Sequence, residues 1–458
     1  MKKIVSLCIA LLVTGAAVAQ TFKVPPYQKF KLKNGLTVYL MEQHEVPLIN
    51  VSVAFDAGSV KDAGRYGLAT MTAEALLFGS SKYTKAQIEE ETEYVGADLS
   101  TFAGREVAKL TASFAVKDAD KLLNIIQDVV TKPAFDPAEF DKYKQRQILS
   151  LTQQKESPRS VIGSYFNRFI YGEHPYANPL SGTQSTVEKI SVADVRAFYQ
   201  KEYTADRAAI AVVGDFNSAD MKKRLTALFG GWKTAAATAP KLAEPVVAFN
   251  ENRLLLVNKP DARETTFMIG GKGITQNNPD YIPVVVVNTI LGGRFTSWLN
   301  DALRVNSGLT YGANSRFATF KNSGTFAIST FTKTSSTTEA VDLALQVLDS
   351  LHRTGIDAKT LESAKNYIKA DFPPRYESAG ELANLLTDMF SLGFDESFIN
   401  NFQKNVDGLT LERTRQIIDT YFPKKALQFV LIGRADAIRD KVKKYGNLTE
   451  KEIKTEGF

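Results

Sequence analysis

The chain has 458 residues, with 56 Lys plus Arg against 50 Asp plus Glu, three His and one Cys. At 44% hydrophobic and 23% charged it is globular in composition, neither disordered nor collagen-like, and its length suggests about two to four domains. A lone cysteine, Cys8, rules out disulfides and thiolate metal sites, and His44, His174 and His352 are too far apart for any two to share a helical turn.

Residues 1–19 read as a secretory signal peptide. Lys2 and Lys3 give a positive start, Ile4 to Val13 an apolar stretch, and Ala17-Val18-Ala19 a small-residue cleavage site before Gln20. The expectation is an exported, soluble, periplasmic protein with no membrane span after cleavage. Losing Lys2 and Lys3 lowers the net charge from +6 to +4, without a polybasic arm. Nucleic acid is not an expected partner.

Along the mature chain, Lys31 to Met41 carries Asn34-Gly35 between apolar runs, a hairpin signal. Leu48 to Phe55 alternates as a strand, Gly67 to Leu77 is helical, and Thr84 with Gln87 forms a capping box for the next helix. Val107 to Val116 alternates again, and helices follow through Thr131 and from Pro137 to Glu156. The small-residue run Thr234 to Pro245 reads as a linker. The second half repeats the style, with strands near Arg253–Val257 and Thr265–Gly271, helices from Tyr281 and Thr296, and paired strands Leu309–Phe320 and Gly324–Lys333. Its last part aligns to the first half without a gap at an offset of 219: Ser191 meets Thr410, Arg196 meets Arg415, Tyr203 meets Phe422 and Gly214 meets Gly433. The expected fold class is therefore α+β. Two homologous domains, 20–233 and 246–458, flank a 234–245 linker, each a mostly antiparallel sheet with helices packed on one face.

The segment AGRYGLATMTAEALLFGSSKYT from Ala63 resembles the first active-site helix of the insulinase/pitrilysin metallopeptidases, relatives of the mitochondrial processing peptidase. Gly172-Glu173-His174-Pro175-Tyr176, Ser181-Gly182-Thr183 and Val212-Val213-Gly214-Asp215 extend the likeness, and GGRFTSWLNDALRVNSGLTYG from Gly292 resembles the family's second domain. The resemblance implies a metallopeptidase clamshell half. In the family's inverted zinc motif, two histidines one helical turn apart bind zinc while a glutamate beside them activates the bound water. Carried over, the histidine positions hold Thr70 and Glu74, and the base position holds Ala73. The third ligand position, set by Pro158, falls at Ser150 or Leu151, with Glu156 off register. These degenerate positions leave no zinc ligand set, so no metal cofactor is expected in this chain and none of the zinc-route hydrolysis on its own.

The second half keeps the family's substrate-holding pair, an arginine and a tyrosine seven positions apart: Arg304 near a helix end, Gly308 at the turn, and Tyr311 opening a strand. A guanidinium and a phenol suit a substrate carbonyl that gains charge during attack. The resemblance thus implies a zinc-less subunit of a heteromeric peptidase that binds unfolded peptide and supplies Arg304 and Tyr311 in trans to a zinc-bearing partner of the same family. The alternative is a purely structural or peptide-binding member. The run Gly270-Gly271-Lys272-Gly273 reads as a strand-to-turn exit, and no nucleophile-elbow, P-loop or dinucleotide fingerprint is present.

Overall fold

In the computed structural model, which describes residues 22–235 and 241–458, each half builds a six-stranded mixed sheet in the same spatial order. The expected signal peptide and the middle of the expected linker lie outside the described residues. In the first sheet the strands are β1 (Gln28–Lys31), β2 (Thr37–Glu42), β3 (Leu48–Phe55), β4 (Asp98–Ala103), β5 (Ala108–Ala115) and β6 (Ala208–Gly214), ordered β1-β2-β6-β3-β5-β4. Only the β2–β6 pairing is parallel. The second sheet comprises β7 (Arg253–Asn258), β8 (Glu264–Lys272), β9 (Ala313–Thr319), β10 (Gly324–Lys333), β11 (Gln428–Gly433) and β12 (Asn447–Glu452), ordered β12-β7-β11-β8-β10-β9. Strands β2, β3, β5, β4 and β6 thus map onto β7, β8, β10, β9 and β11. The sheets differ at one edge, where the first takes an N-terminal antiparallel strand and the second a C-terminal parallel one.

The duplication is visible in detail. Helices Val192–Glu202 and Leu411–Tyr421 stand at the 219-residue offset. Ser191 and Thr410 cap them by accepting from the Asp194 and Arg413 N–H at 3.2 and 3.1 Å. The Asn34-Gly35 hairpin is present: Gly35 has φ +87, and its N–H donates to Leu32 O at 2.9 Å. The Thr84–Gln87 capping box forms as read. One strand expectation needs correction: Tyr311 does not open a strand, because β9 begins at Ala313. The helices expected from Tyr281 and Thr296 are both present in the stretch Tyr281–Asn306, as Tyr281–Gly293 and Trp298–Asn306; each ends in wide turns, and extended backbone at Arg294 and Ser297 separates them. Among the described residues this stretch alone is long and apolar enough to cross a membrane. Its Val284, Val286, Val287, Ile290 and Leu291 are core residues of the second half.

Each half lays its own helices on one face of its sheet. Helices Ala119–Thr131 and Ser218–Phe229, for example, bury Leu122, Ile126, Leu225 and Phe229 beside Val38, Leu40 and Val53. The opposite faces are covered by exchange. Helix Pro158–Tyr171, from the first half, packs on β8 and β11 of the second, with Val161, Ile162, Tyr165 and Phe166 in one core with Leu255, Val257, Val430 and Ile432. In return helix Ala379–Leu392 packs on β3 and β6, sharing a core between Leu382, Leu386 and the Tyr39, Met41, Ala211 and Val213 face. At that second crossing Ser52 donates to Asn384 Oδ1 at 3.1 Å and Lys109 Nζ lies 2.6 Å from Asp388 Oδ1. An N-terminal strap fastens the halves again, with Val24 N–H on Asn400 Oδ1 at 2.8 Å and the Tyr27 hydroxyl on Glu396 at 2.7 Å. Strands covered on both faces explain the unbroken burial of β6 and β11.

Candidate functional site

Helix Leu68–Ala75 carries the three degenerate zinc-motif positions. Two glycines meet at its start: a Cβ on Gly67 (φ +94) would lie 3.0 Å from the Gly182 backbone, and one on Gly182 (φ +80) would lie 2.5 Å from Tyr66 O. This contact accounts for Ser181-Gly182-Thr183, which docks over the beginning of the helix. Thr70 sits under that loop and donates its hydroxyl to Leu180 O at 2.7 Å. Gln147, from helix Pro137–Gln154, donates to Ser181 O at 3.0 Å. The first ligand position is therefore occupied in holding the loop. Ala73 is wholly buried, so the base position is part of the core.

Glu74 is half-buried and lines a cleft of about 330 Å3 with Leu77, Phe78, Lys85, Tyr143 and Arg146. Burial raises its carboxyl pKa, and the Arg146 charge opposes that shift. Arginine and tyrosine are the residues that the neighbouring helix offers to Glu74, and neither is a zinc ligand of the family's type. Ser150 is half-buried, Leu151 packs into the first core, and Glu156 instead accepts from Lys259 Nζ at 2.9 Å. The histidines are dispersed: His44 contacts Asp215, His174 contacts Ala243 O, and His352 lies 3.5 Å from Asp419. Among the described residues no three His, Cys, Asp or Glu side chains gather as a metal site would require. The side chains present at the motif do not fit zinc. Purified protein is expected to hold no stoichiometric zinc after mild dialysis, and elemental analysis finding about one tightly bound zinc per chain would contradict the reading.

A carboxylate missed in the sequence lies just ahead of this helix. Asp62 is 1% exposed and accepts from the N–H groups of Gly67 and Ala69 at 3.0 and 2.8 Å. Burial outweighs those two hydrogen bonds and pushes its pKa up to about 7 from 3.8. Because the folded value is the higher one, Asp62 contributes its full stability below about pH 4, and that contribution is lost as pH rises through about 7, by up to roughly 4 kcal/mol. Urea unfolding between pH 4 and 8 should show this decline, and Asp62→Asn should flatten it.

In the second half, Arg304 lies on the wide-turned end of helix Trp298–Asn306, its guanidinium 4.5 Å from the Phe295 ring centroid. The N–H groups of Leu309 and Thr310 both reach back to Leu303 O, at 2.9 and 3.3 Å, and Gly308 supplies φ +64 for the reversal. The loop carrying Tyr311 is thus folded onto the helix end that bears Arg304. Thr330 fixes it from β10, donating to Thr310 Oγ1 at 3.0 Å or Gly312 O at 2.8 Å. Tyr311 itself is 84% exposed, with its ring 6.3 Å from Phe331. Phe331 in turn lies under the guanidinium of Arg159, 3.3 Å away, from the exchanged helix Pro158–Tyr171. Phe295 and Val305 are also exposed, at 67% and 63%. The result is an apolar, arginine-bearing surface with a phenol whose hydroxyl is free to meet another molecule.

Comparison with known proteins places these features in one family. The description "Insulinase (Peptidase family M16)" matches residues 37–184, and "Peptidase M16 inactive domain" matches residues 189–368. The chain belongs to the insulinase, or M16 peptidase, family. Within it, this is a member whose zinc motif is lost. It is similar to a "Non-peptidase homolog YmxG" of Helicobacter pylori, 23% identical over 86% of this chain and 90% of that protein. It is also similar to a "Zinc protease PqqE" of Helicobacter pylori, 23% identical over 92% and 96%. A crystal structure of a peptidase M16 inactive domain from Pseudomonas fluorescens superposes with a TM-score of 0.82 at 25% identity, covering 89% of this chain and 98% of that one.

Proposed function

We propose that this M16 chain is the zinc-less subunit of an exported, periplasmic heteromeric peptidase. It binds unfolded peptide and lends Arg304 and Tyr311 to the active site of a zinc-bearing partner of the same family. The observation that carries the reading is the asymmetry between the halves. Thr70, Ala73 and Glu74 are engaged in loop docking, core packing and a cleft shared with Tyr143 and Arg146, whereas Tyr311 stands 84% exposed on a braced loop beside Arg304. A structural relic has no need to hold a tyrosine in solvent. Relatives named non-peptidase homolog and zinc protease from the same species support a division of labour between paired members. In this arrangement a zinc held by the partner would supply Lewis-acid polarisation of the scissile carbonyl and an activated water. The residues of this chain orient the peptide, with a guanidinium fork and a phenolic O–H donated to the oxygen that gains charge.

The test is co-expression with a family member bearing the intact H-x-x-E-H motif from the same genome. Co-elution, together with cleavage of a quenched peptide only by the mixture, is the expected result. Equal activity of the zinc-bearing member alone would remove the proposal and leave a peptide-binding or structural role.

A further inference from the structure

The second sheet contains a ladder that stops one step short. β8 stays paired with β10 to its end, Lys272 opposite Thr325, but on its other side β11 begins only at Gln428, opposite Gly270. Continuing that register would set Ala426 opposite Lys272. Ala426 instead has φ +53, and its carbonyl accepts from the Gln428 side-chain amide at 2.7 Å, so its backbone turns away from the strand. Left-handed backbone at a non-glycine residue is uncommon. Successive strand residues present their N–H and C=O to alternate sides. The Gly273 N–H bonds Gly324 O at 2.8 Å on the β10 side, and Lys272 therefore presents its own pair to the side that Ala426 has vacated.

This gap opens on a groove of about 820 Å3, walled by Gly271–Thr275 and by Asp419–Ala426, with Val247–Phe249 alongside. Lys272, Lys424 and Lys425 line it; its one acidic residue, Asp419, is 3.3 Å from Lys424. Among the described residues Lys272 and Lys425 have no acidic partner, which leaves the groove positive. Its floor is open, because a Cβ built on Gly271 would meet only the Pro423 ring, at 4.0 Å.

We propose that this groove binds the C-terminal end of an extended peptide. One residue of the peptide pairs with the vacant Lys272 position as a short added strand, and the terminal carboxylate lies between Lys272 and Lys425. A C-terminus fits better than an internal acid because its carboxylate sits on the backbone itself, at a fixed short distance from the pairing amide. The assignment is independent of the Arg304–Tyr311 reading.

Fluorescence anisotropy with N-terminally fluorescein-labelled Ala-Val-Thr-Val-Ala, as free acid and as C-terminal amide, tests it on the full chain. The free acid should bind, more weakly as salt is added, and the amide at least about tenfold less tightly. Gly271→Val, whose Cβ would meet only the Pro423 ring at 4.0 Å, and the pair Lys272→Glu with Lys425→Glu should each weaken binding by a similar factor at unchanged melting temperature. The Lys272 amide should gain hydrogen-exchange protection in the complex. Equal binding of acid and amide, undiminished binding by Gly271→Val, or no anisotropy change up to about 1 mM would overturn the assignment. Binding of Ala-Glu-Thr-Glu-Ala amide as tight as that of the free acid would overturn it too, by giving the groove to internal acidic side chains.

Discussion

Tyr311→Phe is expected to lower peptide turnover by the reconstituted pair about a hundredfold, the effect of removing one well-aimed donor, worth about 3 kcal/mol, from a developing oxyanion. The substitution is unusually clean. Tyr311 is 84% exposed, and its ring lies 6.3 Å from that of Phe331. Deleting the hydroxyl leaves that contact in place, and neither the stability of the chain nor its elution with the partner should change. Arg304→Ala removes packing on Phe295 as well as charge, so Arg304→Lys is the more telling companion. It keeps a cation but not the planar fork, and turnover should stay low. Steady-state cleavage of a quenched peptide, run beside size-exclusion chromatography, separates the outcomes. Unchanged turnover in both Tyr311→Phe and Arg304→Ala with the pair intact would assign the surface to peptide binding or structure.

The second large effect concerns the exchanged helices. Phe166 is 1% exposed and belongs by sequence to the first half, yet it packs among Val257, Val430 and Ile432 of the second sheet. Phe166→Ala should cost about 3–5 kcal/mol, the usual penalty for truncating a buried phenylalanine. The loss should be felt equally by both domains. The chain has two tryptophans, Trp232 in the first half and Trp298 in the second, so Trp298→Phe and Trp232→Phe variants report the halves separately. Coincident unfolding transitions, shifted together by Phe166→Ala, are expected from an interlocked pair of domains. Two separated transitions, with only one displaced, would show that the halves unfold independently.

Much of this was readable from residues. The 219-residue repeat, the Asn34-Gly35 hairpin and the strands around Leu48–Phe55 and Gly324–Lys333 follow from local period and turn chemistry, and the loss of ligand types at Thr70, Ala73 and Glu74 needs only register. What escaped has physical reasons. β4 alternates weakly and has an exposed outer side, as edge strands do, so no apolar period marks it. The turn at Gly308 predicts a strand opening at Tyr311, but hydrogen bonds among Thr310, Gly312 and Thr330 hold that residue in a loop. Helices Pro158–Tyr171 and Ala379–Leu392 are not among the sequence expectations, and the sheet each covers is decided by packing between the two halves. Asp62 gave no signal because its burial arises from packing at the start of a helix six residues later.

The exchange of helices also sets the order in which the chain can finish folding. As synthesis proceeds from the N-terminus, β6 completes the first sheet's central pairings, but the face bearing Tyr39, Met41, Ala211 and Val213 has no cover until Ala379–Leu392 has been made. The second sheet has the reverse arrangement: its covering helix is ready before any of its strands exist. An early domain that cannot close by itself stays open and greasy on one side for most of its synthesis, a state prone to capture by chaperones and to off-path association. Maturation of this protein is therefore a whole-chain event, and a truncated product ending in the second half should be recovered as aggregate or degraded rather than as a folded first domain.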